Sequence, residues 1–160
     1  MKKPRKIISG GQTGADRAAL DFALEHGIET GGYVPKNRLA EDGKISAKYP
    51  NLIETESENP AERTKLNVVN SDATLILSHG ELAGGSRLTK EIAEKYHKPV
   101  LHIDFSVLDF AEAIEKTRQW LTSADCNVLN IAGSRASQDA EIYRTTKEFL
   151  EKLYLKAIAE

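Results

Sequence analysis

The chain alternates short β-rich runs with helical patterns from end to end, and this alternation restricts the fold more than any other feature. Six runs read as strands: Lys6 to Ser9, Glu29 to Tyr33, Leu52 to Thr55, Thr74 to Ser78, Val100 to Ile103 and Val128 to Ile131. Several are nearly all apolar, as strands covered on both faces must be. Helical spacing fills the gaps. Leu20, Ala23, Leu24 and Gly27 share one face of a first helix, and Leu88, Ile92 and Tyr96 mark a later one. Ile142, Thr146, Phe149, Leu150, Leu153 and Ala157 make the last. Asn59-Pro60 reads as a helix cap followed by a proline at the first helical position, leading to Leu66 and Val69. Strands joined in this way by right-handed crossovers predict an α/β fold with a doubly wound, mostly parallel sheet. Ligands of such sheets bind outside the strand carboxyl ends.

The bulk properties allow one domain over residues 1–160 and exclude several partners. No linker, repeat or low-complexity tract interrupts the 160 residues. A formal net charge of −2 gives no general attraction to nucleic acid or to an anionic membrane surface. No apolar run approaches the roughly 20 residues needed to span a bilayer, and no signal-peptide pattern opens the chain, so the cytoplasm is the expected location. Lys2, Lys3, Arg5 and Lys6 read as a solvated basic start. Cys126 is the only cysteine, which excludes an internal disulfide or a paired-thiolate metal site. None of His26, His79, His97 and His102 is paired at ligand spacing, so no metal held by protein side chains is expected.

Three glycine-bearing turns follow predicted strand ends. The first is Gly10-Gly11-Gln12-Thr13-Gly14-Ala15-Asp16-Arg17, a tight turn into a helix. The second joins Ser78-His79-Gly80 to Gly84-Gly85-Ser86-Arg87. The third is Ala132-Gly133-Ser134-Arg135. Such turns let the backbone approach a ligand while the unpaired N–H groups of the following helix point at it, which makes a cradle for an anion, most often a phosphate. Arg87 and Arg135 can grip a phosphate bidentately, and Thr13, Ser86 and Ser134 can add hydroxyl contacts. Tight turns of this kind also occur wherever a parallel strand enters a helix, without any ligand.

Between Gly31 and Asn51 no period is evident, and a segment of that length inside a compact domain is usually functional. Its Lys36, Arg38, Glu41, Asp42 and Tyr49 suit a loop that closes over a polar ligand, with Tyr33, Pro35, Leu39 and Ile45 as apolar anchors.

The runs GGQTGADRAALDFALEHG, GGYVPKNRLAEDGKISAKYP, ERTKLNVVNSDATLIL, AGGSRLTKEIAEKYHKPV and LNIAGSRAS, in this order, resemble the molybdenum carrier family over nearly the whole chain. The VPKNRLAEDG and RTKLNVVNSDATLIL blocks are the most distinctive. The family is similar to a wider Rossmann-like group that includes the DprA proteins and the lonely-guy phosphoribohydrolases. The resemblance implies a three-layer Rossmann-like domain that binds molybdenum cofactor, a pterin bearing a phosphate and a metal-holding dithiolene. It also implies assembly into a homo-oligomer and molybdenum enzymes as recipients of the cofactor. The first turn departs from the family pattern with GAD in place of GVD, and the last reads AGSR in place of AGPR.

A pterin phosphate and an oxomolybdenum dithiolene both call for donors. The candidates are Gly10, Gly11, Thr13, Gly14, Gly84, Gly85, Ser86, Arg87, Gly133, Ser134 and Arg135, with Lys36 and Arg38 closing from the loop and His79 at a strand end. Asp16 suits either the N–H edge of a heterocycle or the start of a helix, and Asp104 carries the same pair of readings. His102 and Trp120 read as packing residues. Two other readings use the same turns. A nucleoside monophosphate phosphoribohydrolase similar to the lonely-guy enzymes would employ Arg87 and Glu91 of the GGSRLTKE segment as catalytic residues, although that segment departs from the PGGxGTxxE signature. A nucleotide sensor would bind without reacting.

Overall fold

The computed structural model describes the backbone of residues 1–158 and the side chains of residues 1–155, so the side chain of Ala157, expected on the last-helix face, lies outside the described ones. Its elements are β1 (Lys6–Ile8), α1 (Ala15–Glu25), β2 (Glu29–Val34), a 3-10 turn (Lys36–Arg38), β3 (Leu39–Ala40), β4 (Gly43–Lys44), β5 (Leu52–Glu54), α2 (Pro60–Val69), β6 (Ala73–Ser78), α3 (Gly84–Lys95), β7 (Val100–Asp104), α4 (Phe110–Ala124), β8 (Val128–Gly133) and α5 (Ile142–Ile158).

Six of these strands form one sheet in the order β5-β2-β1-β8-β6-β7, and every pairing is parallel. The chain starts at the middle of the sheet, runs out to one edge and crosses to the other half. It then returns to lay β8 between β1 and β6, with Lys6 opposite Val128 and Ala73 opposite Leu129. First and last strands are therefore neighbours, and the turns at their carboxyl ends touch. There the Ala15 N–H donates to the Ser134 carbonyl at 3.1 Å. Gly14 makes this approach possible: its φ is +80°, and a Cβ would collide with the Ser134 carbonyl oxygen.

Helix α5 packs between α1 and α4 on one face of the sheet, and α2 packs on α3 on the other, which gives the three layers expected. The larger core joins Ile7, Leu75, Leu77, Ile103, Leu129 and Ile131 of the sheet to Phe22, Leu121, Phe149, Leu150 and Leu153, all at most 1% exposed. Trp120 packs against this core. Helix α2 starts as the sequence suggests: the Asn59 side chain accepts from the Ala61 N–H at 3.0 Å, with Pro60 in the first turn. Helix α4 starts with a capping box in which Asp109 and Glu112 satisfy each other's backbone N–H groups.

Some details differ from the expected faces. Leu24 and Tyr96 are exposed, and the buried side of α3 is Ser86, Thr89 and Ala93, with Leu88 and Ile92 half-buried. On α2 the buried residues are Arg63, Thr64, Asn67 and Val68, while Leu66 and Val69 are half-buried. These helices turn small and polar residues inward because they border a polar pocket. The segment from Gly31 to Asn51 is also more ordered than its lack of period predicts. Its strand β2 continues to Val34, and β3 and β4 form an antiparallel hairpin that turns at Glu41 and Asp42. Ala40, Ile45 and Tyr49 anchor it against Leu20 and Val34, whereas Leu39 is exposed.

Candidate functional site

A polar pocket opens where the carboxyl ends of β1 and β8 meet the starts of α1 and α3 and the buried face of α2. It is lined by Gly10, Gln12 and Asp16 from the first turn, by Arg63, Thr64 and Asn67 from α2, and by Gly85, Ser86 and Thr89 from α3. Asn130, Ala132, Gly133, Arg135 and Gln138 close it from β8 and the loop beyond.

Arg63 dominates the pocket electrostatically. Its side chain comes from the second residue of the Glu-Arg pair in the first turns of α2, and it is only 7% exposed. Nη1 donates to the Gly10 carbonyl oxygen at 2.6 Å, and its other nitrogens make no hydrogen bond to the described residues. Burial lowers its pKa and the charge of Asp16 raises it, but a guanidinium stays protonated in either case. Arg135 supplies a second guanidinium, with Nη1 3.9 Å from Glu41 Oε2.

Asp16 is the carboxylate that faces these two cations. Its Oδ2 accepts from the Gln12 N–H at 3.3 Å. Burial pushes its pKa up to about 6, against the charges of Arg63, Arg135 and Arg17 and the Gln12 N–H, which pull it down. The start of α3 adds a dipole to the same space. Ala83 offers no side-chain cap, so the first N–H groups of the helix, at Gly84 and Gly85, have no acceptor among the described residues. A Cβ on Gly85 would meet no atom within 4 Å, so open space lies beside that backbone.

Beneath the pocket the polar groups are already engaged. Asn67 bridges the Tyr33 peptide, accepting from its N–H at 2.8 Å and donating to its carbonyl at 2.9 Å. Asn130 Nδ2 donates to Thr74 Oγ1 at 3.2 Å, and Thr89 Oγ1 donates to the Gly85 carbonyl at 2.8 Å.

The β3–β4 hairpin closes over the rim of this pocket. Gln12 Oε1 accepts from the Thr13 N–H at 3.1 Å and from the Glu41 N–H at 2.9 Å. The Glu41 carboxylate receives the Ser137 N–H at 3.1 Å, the Ser137 hydroxyl at 2.6 Å and the Thr13 hydroxyl. Burial alone would raise its pKa, but these hydrogen bonds and Arg135 hold it below the ordinary carboxylate value. Behind the hairpin, Arg17 pairs with Asp42 at 2.5 Å.

The residues expected at a ligand therefore fall into three groups. Gly10, Asp16, Gly85, Ser86, Gly133 and Arg135 line the pocket, and Gly84 begins the helix that points into it. Gly11, Thr13, Gly14 and Ser134 shape its rim and floor through backbone and clasp contacts. The remainder stand elsewhere. Arg87, Glu91 and Asp104 border a separate recess on the far side of α3, together with Lys90, His102 and Lys116. There Asp104 Oδ1 caps the turn after β7, accepting from the Gly80 N–H at 2.7 Å and the Ser106 N–H at 2.9 Å. His79 is bonded to Asp139 at 2.6 Å. Arg38 is spent on its own loop, donating to the Ile45 and Ser46 carbonyls at 3.0 and 2.6 Å. The Lys36 side chain is exposed and its N–H donates to the Ser57 carbonyl at 3.0 Å.

Sequence reasoning passed over Arg63, Gln12, Asn67, Thr89, Asn130 and Gln138. A polar residue inside an otherwise apolar strand, Asn130, was the available signal for the β8 side of the pocket. Among the described residues, three metal-ligand side chains approach one another only at Glu25, His26 and Glu151 on the surface, where the Lys147 ammonium already sits 2.8 Å from Glu25.

An open parallel sheet with a polar pocket at its carboxyl ends and an uncapped helix start facing that pocket defines a Rossmann-like α/β protein. The chain belongs to the circularly permutated YpsA SLOG family, whose model matches residues 7–154. It is also similar to the crystal structure of "Putative molybdenum carrier protein" from Syntrophus aciditrophicus, with 53% identity, a TM-score of 0.91, and coverage of 92% of this chain and 93% of that one. No curated protein matches the chain. The family resemblance read from the sequence blocks is thus borne out, and no helix among the described residues is long and apolar enough to cross a membrane.

Proposed function

We propose that this protein binds a phosphate-bearing heterocycle in the pocket between α2 and α3, and that molybdenum cofactor is the ligand it stores or passes on. The observation that carries this reading is Arg63, a guanidinium only 7% exposed, with one hydrogen bond and the rest of its donors unused. A buried cation with unused donors is costly without an anion to receive them. Arg135 and the uncapped N–H groups of α3 converge on the same space, so a phosphate there gains two bidentate partners and a helix dipole. The name carried by the Syntrophus relative supports molybdenum cofactor as the particular ligand.

No covalent step belongs to this reading. Of the residues a phosphoribohydrolase would employ, Arg87 and Glu91 border the other recess, and the carboxylate in the pocket is Asp16. Assembly of identical subunits, delivery to molybdenum enzymes and a cytoplasmic location complete the proposal. The test is anaerobic calorimetry of the purified protein with molybdenum cofactor and with nucleoside monophosphates, each mixture also assayed for free base. Tight binding of the cofactor without base release is expected. Release of base from a nucleotide would overturn the carrier reading.

A further inference from the structure

Asp16 is the only carboxylate among the described residues that line the pocket. It is 7% exposed, and one oxygen is occupied by the Gln12 N–H at 3.3 Å. The other oxygen has no donor among the described residues, and Arg63 and Arg135 act on it through space without forming an ion pair. A carboxylate accepts at both oxygens, and this one opens onto the space of the pocket and is not sealed in the core. A ligand that fills the pocket takes that oxygen out of water, so a ligand that brings N–H groups to Asp16 is favoured over one that does not.

The surroundings decide which N–H groups. Two guanidinium groups stand beside the carboxylate, so a cationic head group would be repelled, whereas a neutral ring with polarised N–H bonds would not. The 2-amino-4-oxo ring shared by guanine and pterin offers such an edge, a ring N–H beside an amino group, which can donate to both carboxylate oxygens in the way a bidentate pair requires. Adenine has an amino group next to a ring nitrogen whose lone pair would face the carboxylate.

We propose that Asp16 is the specificity-determining residue of the pocket, selecting phosphate-bearing heterocycles with the 2-amino-4-oxo edge of guanine and pterin over those with the edge of adenine. This rests on the anion-pocket reading above and deepens it: Arg63 and Arg135 hold the anion, and Asp16 reads the ring. A role confined to the helix start would be blind to the ring, because a negative charge in the first turn of α1 interacts with the helix dipole whatever the ligand is.

The test is calorimetric titration near neutral pH of the wild-type protein and of Asp16→Asn with GMP, IMP, AMP and ribose 5-phosphate. IMP keeps the ring N–H without the amino group, and ribose 5-phosphate has no ring to read. The wild type is expected to bind GMP at least about tenfold tighter than AMP, with IMP between them, since a site that hydrogen-bonds an N–H strongly rejects the analogue lacking it. In Asp16→Asn the GMP and AMP affinities should converge to within about twofold. Equal affinity of the wild type for GMP and AMP, a comparison that needs no variant, would overturn the assignment and leave the anion pocket standing. So would a GMP preference retained in Asp16→Asn. Absence of binding by all four compounds, with molybdenum cofactor still bound, would overturn the assignment and leave the anion pocket standing, whereas absence of binding by the cofactor as well would overturn both readings.

Discussion

Arg63 Nη1 lies 2.6 Å from the Gly10 carbonyl oxygen, and a Cβ added to Gly10 would fall 2.6 Å from the same nitrogen. The bare backbone of the first turn and the guanidinium from α2 are therefore one feature, although 53 residues separate them in sequence. The glycine is needed at Gly10 because an arginine occupies the volume its side chain would take.

Gly10→Ala should displace Arg63 from the turn. Overpacking of this kind costs about 1–3 kcal/mol, and here it also misdirects a pocket donor. Urea unfolding should show a lower midpoint at unchanged slope, and affinity for a phosphate-bearing ligand should fall with it.

Asp16 ties stability to pH. Its carboxyl ionises near pH 6 in the folded protein and near 3.8 when exposed, so between those values the folded state holds a proton that the unfolded chain has released. The contribution of Asp16 to the stability of the ligand-free protein is then greatest below about pH 4, declines through the interval and is level above about pH 6, by a total of about 3 kcal/mol, while Glu41, whose carboxyl is held below its ordinary value, contributes with the opposite sign at lower pH. In Asp16→Asn this component should vanish from unfolding free energies measured across that range. A decline of the same size in the variant would assign the proton to another group.

The hairpin clasp should compete with ligand for charge. Glu41 stands 3.9 Å from Arg135 and receives Thr13 and Ser137, so it places a negative charge at the pocket rim. Glu41→Gln is expected to bind a phosphate-bearing ligand a few-fold tighter at low salt, with the gain shrinking as salt is added. Calorimetry at two ionic strengths reads both effects.

Asp21 holds two tyrosines against α1. The Tyr49 hydroxyl donates to Oδ1 at 2.6 Å and the Tyr143 hydroxyl donates to Oδ2, which fastens the end of the loop and the start of α5 to the same helix. Burial and the nearby carboxylate raise both phenol pKa values. Tyr49→Phe and Tyr143→Phe should each cost about 1–2 kcal/mol, and Asp21→Ala should cost more because it leaves two partly buried hydroxyls without an acceptor. Ligand affinity should be nearly unchanged, since none of the three lines the pocket.

The sheet was legible because its strands are buried on both faces and so spell themselves as apolar runs: β6, Ala73 to Ser78, is buried at every position. The glycine turns were legible for a related reason, since Gly14 marks a backbone approach that no side chain could share. Arg63 and Asn67 were not. They lie four apart on α2, and by pattern alone such a face is the solvated one, with Leu66 and Val69 turned inward. The helix is reversed because its inner surface borders the pocket, and that follows from long-range contacts to Gly10 and Tyr33 that local spacing does not encode. The β3–β4 hairpin escaped notice because each strand has only two residues, too few for an alternation to register. Arg87 looked like a pocket residue from its position after Ser86, but one step along a helix turns a side chain by about 100°, and this takes it to the other recess.

Whether Arg63 and Arg135 hold the anion is read from the affinity of one phosphate-bearing ligand for the wild type, Arg63→Met, Arg135→Ala and Arg87→Ala, by calorimetry on protein whose fold is verified by thermal melting. The anion pocket predicts a loss of at least about tenfold in Arg63→Met and in Arg135→Ala, as expected when a charge-assisted pair is removed, with Arg87→Ala unchanged. Loss of binding in Arg87→Ala, with the other two variants unaffected, would move the ligand to the recess beyond α3 and rule out the pocket between α2 and α3.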